Sequence, residues 1–240
     1  MELDIDIGNS FLKWRCRDGA VLVARGQVAT QSLAGSLFSE LSGFALNKVR
    51  IGSVASADVD TEVARQLKDG FAIEPVFART QAHGAGVVNS YAEPERMGVD
   101  RWLAMVAAYQ VSGGACCVVD CGSAITVDWV SAQGVHQGGY IIPGLNLMQD
   151  ALFNRTAKVK RRDAVVTAIE PGINTESAVQ NGAAYVLAAL GERVARECEV
   201  NGARLFICGG DGALFAELIE HVECLQPDLV LDGLQWVCEG

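Results

Sequence analysis

ELDIDIGNSFLKWRCRDG, residues 2–19, alternates acids with aliphatics: Glu2, Asp4 and Asp6 interleave with Leu3, Ile5 and Ile7. A period of two predicts a half-buried strand. Gly8-Asn9-Ser10 turns the chain into a second apolar run, and Asp18-Gly19 signals a hairpin into a third, AVLVARGQV. A strand with a carboxylate at alternate positions is either a solvated edge, or one whose last acid and turn handle a charged ligand.

The same pattern recurs in ACCVVDCGSAITVDWVSAQGVHQGGYIIPG, residues 115–144. Aligned on Asp6 and Asp120, D-I-G-N-S matches D-C-G-S-A, and the turns Asp18-Gly19 and Gln133-Gly134 fall within one residue of each other. Each copy places a carboxylate at a strand end, just before a glycine that lets the backbone approach a ligand closely. The N–H groups after such a glycine form a concavity for anions. The acid itself repels phosphate, so it holds a cation, orients a water or accepts a proton. Two such units predict a clamp on a polyphosphate and its metal. A third glycine turn, LFICGGDG with Gly209, Gly210 and Gly212, stands after a late strand, where a plain strand-to-helix turn is the alternative.

Around these turns the chain alternates strands and helices. SLAGSLFSELSG carries Leu33, Leu37, Phe38 and Leu41 at helical spacing after Ser32. KVRIGSV and AIEPVFA read as strands on either side of a helix in DTEVARQLKDG. TQAHGAGVVNSYAEPERMG reads as loop, and VDRWLAMVAAYQVSG as a helix with Val99, Trp102, Leu103, Val106 and Tyr109 on one face. The second half adds a helix near LNLMQDALFN, a long helix in TESAVQNGAAYVLAALGERVARECE, the strand RLFICGG and a helix from GALFAELI. The duplication divides the chain into 1–112 and 113–240, two α/β units each opening on strand–turn–strand.

The chain has 240 residues, half of them hydrophobic, and a formal net charge of -10. That composition supports a sizeable core and lacks the Lys/Arg arrays needed for nucleic acid. The eight cysteines, Cys16, Cys116, Cys117, Cys121, Cys198, Cys208, Cys224 and Cys238, form no C-x-x-C pair or zinc-type spacing. They read as buried reduced thiols of a cytoplasmic protein. Neither a signal peptide nor a bilayer-spanning run is evident. His83, His136 and His221 match no motif.

The paired D-x-G turns and late Gly-Gly resemble the actin, hexokinase and Hsp70 superfamily. That resemblance implies α/β architecture: two tandem ribonuclease-H-like (actin-like ATPase) domains with mixed sheets and an inter-domain nucleotide cleft. In order, DIGNS, YAEPERMGVDR, DCGSAITVD, GGYIIPG and ICGGDG resemble the motifs of the type III pantothenate kinases over nearly the whole chain. Ser10 and Ser123 stand where that family often has Thr, and Cys208 stands where Thr is usual before Gly-Gly. Asp4 occupies a position where an apolar residue is the default, and neither it nor Glu2 has an account in the sequence.

The resemblance implies ATP-dependent phosphorylation of pantothenate to 4′-phosphopantothenate, the first step towards coenzyme A, in a homodimer. It places ATP against Asp6, Ile7, Gly8, Asn9, Ser10, Phe11, Leu12, Lys13, Gly122, Ser123, Gly209 and Gly210. It places pantothenate against Tyr91, Gly98, Val99, Asp100, Arg101 and Thr175, and a monovalent cation, potassium or ammonium, at Asp120. Magnesium is expected to arrive with ATP. Asp100, at a helix start beside Arg101, is the candidate general base, a neighbouring cation keeping it ionised; the alternative is a helix cap. Arg101 suits a carboxylate, with a surface ion pair as its alternative. Tyr91 offers a ring face and a hydroxyl or packs on the core, and Thr175 equally reads as a helix start. Lys13 either neutralises ATP charge or is an exposed strand lysine, and Asp128 either joins the electrostatic network or faces solvent. Competing functions are a kinase for a sugar or other small hydroxyl substrate, and a regulatory protein of the Bvg accessory factor kind.

Overall fold

The computed structural model describes residues 1–33, 37–153 and 168–239. In chain order the first strands are β1 (Glu2–Ile7), β2 (Phe11–Asp18), β3 (Val21–Ala29) and β4 (Lys48–Ser53). Helix α1 (Ala57–Phe71), short strands β5 (Val76–Phe77), β6 (His83–Gly84) and β7 (Val87–Val88), and helix α2 (Val99–Ser112) follow. Next come β8 (Cys116–Cys121), β9 (Ala124–Val130), β10 (His136–Pro143), α3 (Leu145–Phe153) and α4 (Thr175–Asn201). The chain closes with β11 (Arg204–Cys208), α5 (Gly212–Leu218) and α6 (Leu229–Cys238). These elements form two compact units, one of Met1–Val111 with Asp228–Gly240, the other of Ser112–Pro227. The sequence division at 112/113 leaves the last segment with the second half, whereas its helix α6 packs in the first unit, on β1 and β4.

In the first unit the sheet order is β3-β2-β1-β4-β5. β1, β2 and β3 run antiparallel, and β4 joins β1 in parallel. Register places Leu3, Ile5 and Ile7 opposite Cys16, Trp14 and Leu12, and these side chains share one core with Val49, Ile51 and the α1 residues Val63 and Leu67. The alternation in ELDIDI therefore works as read: its aliphatic face is the core.

Its acidic face is not solvated. Asp4 is fully buried. One carboxylate oxygen accepts from Arg50 Nη1 at 2.8 Å; the other accepts from Arg15 Nε at 3.2 Å and Arg17 Nη2 at 3.1 Å. Arg50 also donates to Glu2 and to Glu239, and Arg15 to Asp232. Burial disfavours the charge of Arg50, but its hydrogen bonds to Glu239, Glu2 and Asp4 outweigh that and raise its pKa. Hydrogen bonds from Lys48 and Arg50 lower Glu239 to about 2. These pairs tie α6 to the first two strands and β4, and they supply the account of Asp4 and Glu2 that the sequence lacked. On the same face Gly52 leaves room for Leu103 of α2, whose Cδ1 would stand 2.6 Å from a Cβ there, and Gly233 of α6 rests on the Leu103 backbone.

The second unit repeats the plan. Its order is β10-β9-β8-β11, three antiparallel strands with a fourth parallel to the first, as in β3-β2-β1-β4. Cys117, Val119, Cys121, Ile125 and Val127 pack with Leu187 of α4 and Phe215 of α5. Asp128 neither faces solvent nor stands at the phosphate turn: it is buried and pairs with His136 Nε2 at 3.1 Å. All eight cysteines are free, six of them buried.

Four local expectations change. TQAHGAGVVNSYAEPERMG, read as loop, contains the β6–β7 ladder and a 3-10 turn, Pro94–Arg96. The helix expected in SLAGSLFSELSG falls partly outside the described residues; what is described is a 3-10 turn, Ser39–Leu41. AIEPVFA keeps only Val76–Phe77 as strand, since Pro75 has no N–H to give a ladder. In α2, residues 101–108 are all buried, so the helix is enclosed rather than striped. Asn154, at the end of the helix expected in LNLMQDALFN, lies outside the described residues. Among the described residues no helix is long and apolar enough to cross a membrane.

Asp4→Asn removes the charge that three arginines share. Leaving buried charge uncompensated costs on the order of 3–5 kcal/mol. Urea unfolding is expected to show a loss of that size, and an unchanged midpoint would refute the role given to Asp4.

Candidate functional site

The first glycine turn is held from below by a residue that sequence reading missed. Gly8 N–H donates to Phe11 O at 2.9 Å, closing the turn. Thr30 donates its hydroxyl to Gly8 O at 2.8 Å and its N–H to Ser10 O at 2.9 Å. With both carbonyls engaged by Thr30, the turn is fixed with Asn9 and Ser10 exposed. Ile7 and Leu12 have fully buried side chains, so of these two only the backbone can meet a ligand. Phe11 is about half exposed, and Lys13 stands opposite Asp6 in register, on the acidic face of the sheet.

The second turn is one residue shorter. Gly122 N–H donates to Ala124 O at 3.0 Å, and Asp120 pairs with Thr126, six residues on, where Asp6 pairs with Lys13, seven on. Gly144 supports this turn from its backbone, donating to Ser123 O at 3.0 Å. A Cβ on Gly144 would lie 2.4 Å from Gly122 O. The Gly209 turn folds against the same strand end: Asp211 N–H donates to Cys121 O at 2.9 Å. Gly209 has φ +89°, and a Cβ there would stand 2.4 Å from both Asp120 Oδ1 and Cys121 O. The structure thus brings together Asp120, Gly122, Ser123, Gly209 and Gly210. Burial first, then the charges of Asp120 and Asp211, raise the Cys121 thiol pKa. Cys208 is buried beside Asp120 in the β8–β11 ladder.

In the first unit Tyr91, Gly98, Val99, Asp100 and Arg101 also meet. Gly98 O accepts the N–H of Trp102 and opens α2. Asp100 folds back over Gly98, where a Cβ would lie 2.5 Å from Oδ1, and that oxygen accepts the Arg101 N–H at 2.8 Å. Arg101 is 6% exposed, so it is not a surface ion pair. Its Nη1 donates to Tyr91 Oη at 2.9 Å, with the guanidinium carbon 5.8 Å from the Tyr91 ring centroid. Asn89 was missed: its Oδ1 accepts the Tyr91 N–H at 2.9 Å, an Asx turn that N-S-Y could have signalled. Thr80 donates to Met97 O at 2.9 Å and so steadies the strand of loop before Gly98.

Thr175 lies in the second unit, exposed, as the first residue of α4. The helix cap is its neighbour: Asn174 Oδ1 accepts the Ser177 N–H, and the Ser177 hydroxyl completes a capping box. Thr175 is therefore a helix start, in the second unit, whereas the Tyr91 cluster belongs to the first.

In donor chemistry the second turn fits a cation: a carboxylate, Asp120, beside backbone carbonyls of a glycine turn is the oxygen-rich set that hard cations take. Its N–H groups and those of Asn9 and Ser10 suit phosphate oxygens.

Solved structures share this architecture. A ROK family glucokinase from Streptomyces griseus, solved with glucose and AMPPNP, superposes with TM-score 0.51 at 10% identity, covering 100% of this chain and 99% of its own. A protein described as a Baf family transcriptional activator, from Campylobacter jejuni, gives TM-score 0.60 at 19% identity, covering 99% and 97%. The fold is that of the actin-like kinases. In sequence, the model of the type III pantothenate kinase family matches residues 2–197. Type III pantothenate kinases of Pseudomonas savastanoi pv. phaseolicola and Ectopseudomonas mendocina are 35% and 37% identical over 247 and 250 residues, covering 99% of both chains. The chain belongs to the type III pantothenate kinase family.

Gly209→Ala sets a side chain in the left-handed region and against Asp120 and the Cys121 carbonyl. Strain of this kind costs about 1–3 kcal/mol. Thermal unfolding is expected to show that loss together with a raised KM for ATP, and a variant matching the parent in both would remove Gly209 from the site.

Proposed function

We propose that this chain transfers the γ-phosphoryl group of ATP to the 4′-hydroxyl of pantothenate. Membership of the family supports the reaction, and the observation that carries the mechanism is the Asp100 carboxylate folded over Gly98 beside the buried Arg101–Tyr91 pair. Asp100 accepts the hydroxyl proton as the oxygen bonds to the γ-phosphorus and the bond to ADP breaks. Arg101 takes the pantothenate carboxylate, oriented by Tyr91, whose position the Asn89 turn sets. Backbone N–H groups of the turns at Gly8 and Gly122 take phosphate oxygens, Lys13 adds a charge, and the adenosine packs at Gly209-Gly210. Magnesium carried by ATP supplies charge neutralisation, and Asp120 holds potassium or ammonium. Thr175 remains a proposed pantothenate contact. Buried reduced thiols suit a cytoplasmic location.

A homodimer is part of this reading. Tyr140 and Ile141 on the edge strand β10, Leu147 and Leu152 on α3, and Tyr185 and Val186 on α4 are all exposed apolar residues of one unit. Helix α3 contacts both β10 and α4, so the six belong to adjoining elements. Exposed apolar residues on adjoining elements support a second copy of this chain as a cover for part of them. Tyr185→Glu is expected to yield monomers in sedimentation experiments, and an undisturbed dimer would separate the interface from α4.

The function is tested by coupled detection of ADP with pantothenate, ATP and magnesium, in potassium, ammonium or sodium. Turnover with pantothenate and not with sugars, dependent on potassium or ammonium, is expected. Asp100→Asn is expected to keep both substrates bound and to lose about 10²–10⁴ in kcat. A variant with full turnover would remove Asp100 as the base.

A further inference from the structure

One cluster in the second unit has no part in the phosphate or pantothenate sites. After α5, Glu220 takes φ +57° and reverses the chain into the 3-10 turn Val222–Cys224. His221 N–H donates to Ala216 O at 2.9 Å, fixing the turn to α5. Past the turn, Gln226 N–H donates to Ile207 O at 2.7 Å, and Leu225 bridges to Ile207 of β11. The segment is therefore tethered at both ends. Three residues per 3-10 turn bring positions three apart to the same side, and so His221 and Cys224 stand together, with Glu223 beside them.

The donor atoms of these three side chains lie within 4.8 Å of one another. His221 Nδ1 is 3.0 Å from Glu223 Oε1, and Cys224 Sγ is 3.9 Å from the same oxygen. Donors held by one tetrahedral zinc at about 2.0–2.3 Å stand roughly 3.3–3.8 Å apart. The side chains are thus already near the spacing an ion requires. Cys224 packs against the core of the unit, whereas the Glu223 side chain is 70% exposed, so one donor is anchored and solvent can supply the remaining position.

We propose that His221, Glu223 and Cys224 form a binding site for a borderline transition-metal ion of the zinc class, with water as fourth ligand. Imidazole nitrogen, thiolate and carboxylate together select such an ion over magnesium or calcium, which take oxygen. The hydrogen bond from His221, then one from its own backbone, lowers the Glu223 pKa, leaving the carboxylate ionised as a ligand requires. Burial, then the charges of Glu223 and Cys198, raises the Cys224 thiol, with Arg204 opposing. The ion displaces the thiol proton to solvent as the sulfur–metal bond forms, and no electrons are exchanged. Because the turn joins α5 to the β11 edge, the bound ion stabilises the second unit by mass action.

Cobalt(II) titration of the chelator-treated full-length chain tests this without turnover, and so independently of the kinase reading. The expected result is one cobalt per chain, with thiolate-to-cobalt charge-transfer absorption in the near ultraviolet. Cys224→Ser is expected to lose that band. His221→Ala, a change at the surface, is expected to weaken cobalt more than about 10-fold at unchanged circular dichroism. A band that survives Cys224→Ser, or equal affinity in His221→Ala, overturns the assignment.

Discussion

The charge on Asp4 is what the first unit is organised around. A carboxylate with no exposure to water is tolerated only when its oxygens are fully engaged. Here three guanidinium groups from β2 and β4 engage it, and two of them reach on to Asp232 of α6 and to Glu239 just after it. The face of the sheet that would otherwise be a second hydrophobic layer is thus an ionic one. Geometry matters more in such a layer than in an oily one, because each pair depends on distance and direction. Two residues along the same strand lies Asp6, the acid before the first glycine turn, so the strand that presents the turn is held in register by charge on one side and by Leu3, Ile5 and Ile7 on the other.

A second common theme joins the two acids assigned to chemistry. Asp100 rests over Gly98 and Asp120 over Gly209, each with a carboxylate oxygen where a side chain of the glycine would be. The glycines serve these acids by leaving space, and at Gly209 also by adopting a left-handed backbone. A carboxylate lodged against a peptide has few rotamers, which reduces the entropy lost when it engages a proton or a cation. Thr30, Gly144 and Asn89 hold the neighbouring backbone in another way, by hydrogen bonds to Gly8, Ser10, Ser123 and Tyr91.

What could be read from the sequence was local. The alternation in ELDIDI, the turns at Gly8 and Gly122, and the repetition of strand–turn–strand each depend on residues within a dozen positions, and each is present. The sheet orders β3-β2-β1-β4 and β10-β9-β8-β11 repeat one strand arrangement. What escaped reading was long-range. Asp4 meets Arg50 across 46 residues, and Arg15 meets Asp232 across 217; no periodicity encodes such a pair. The Asp128–His136 pair spans only eight residues, yet its burial follows from the strand's neighbours, not from its spacing. Leucines at helical spacing after Ser32 gave a helix in expectation, and a 3-10 turn stands at its described end, since apolar spacing alone does not supply the backbone hydrogen bonds of a longer helix.

The return of α6 to the first unit has a consequence for how the molecule is made. Ser112–Pro227 is one continuous stretch, complete before the ribosome has added Asp228. The first unit is discontinuous: Arg15 and Arg50 precede the second unit in the chain, whereas Asp232 and Glu239 follow it. Without those acids the two arginines have only part of their countercharge. The unit that begins first is therefore the one that finishes second, and the step that closes it is the arrival of α6.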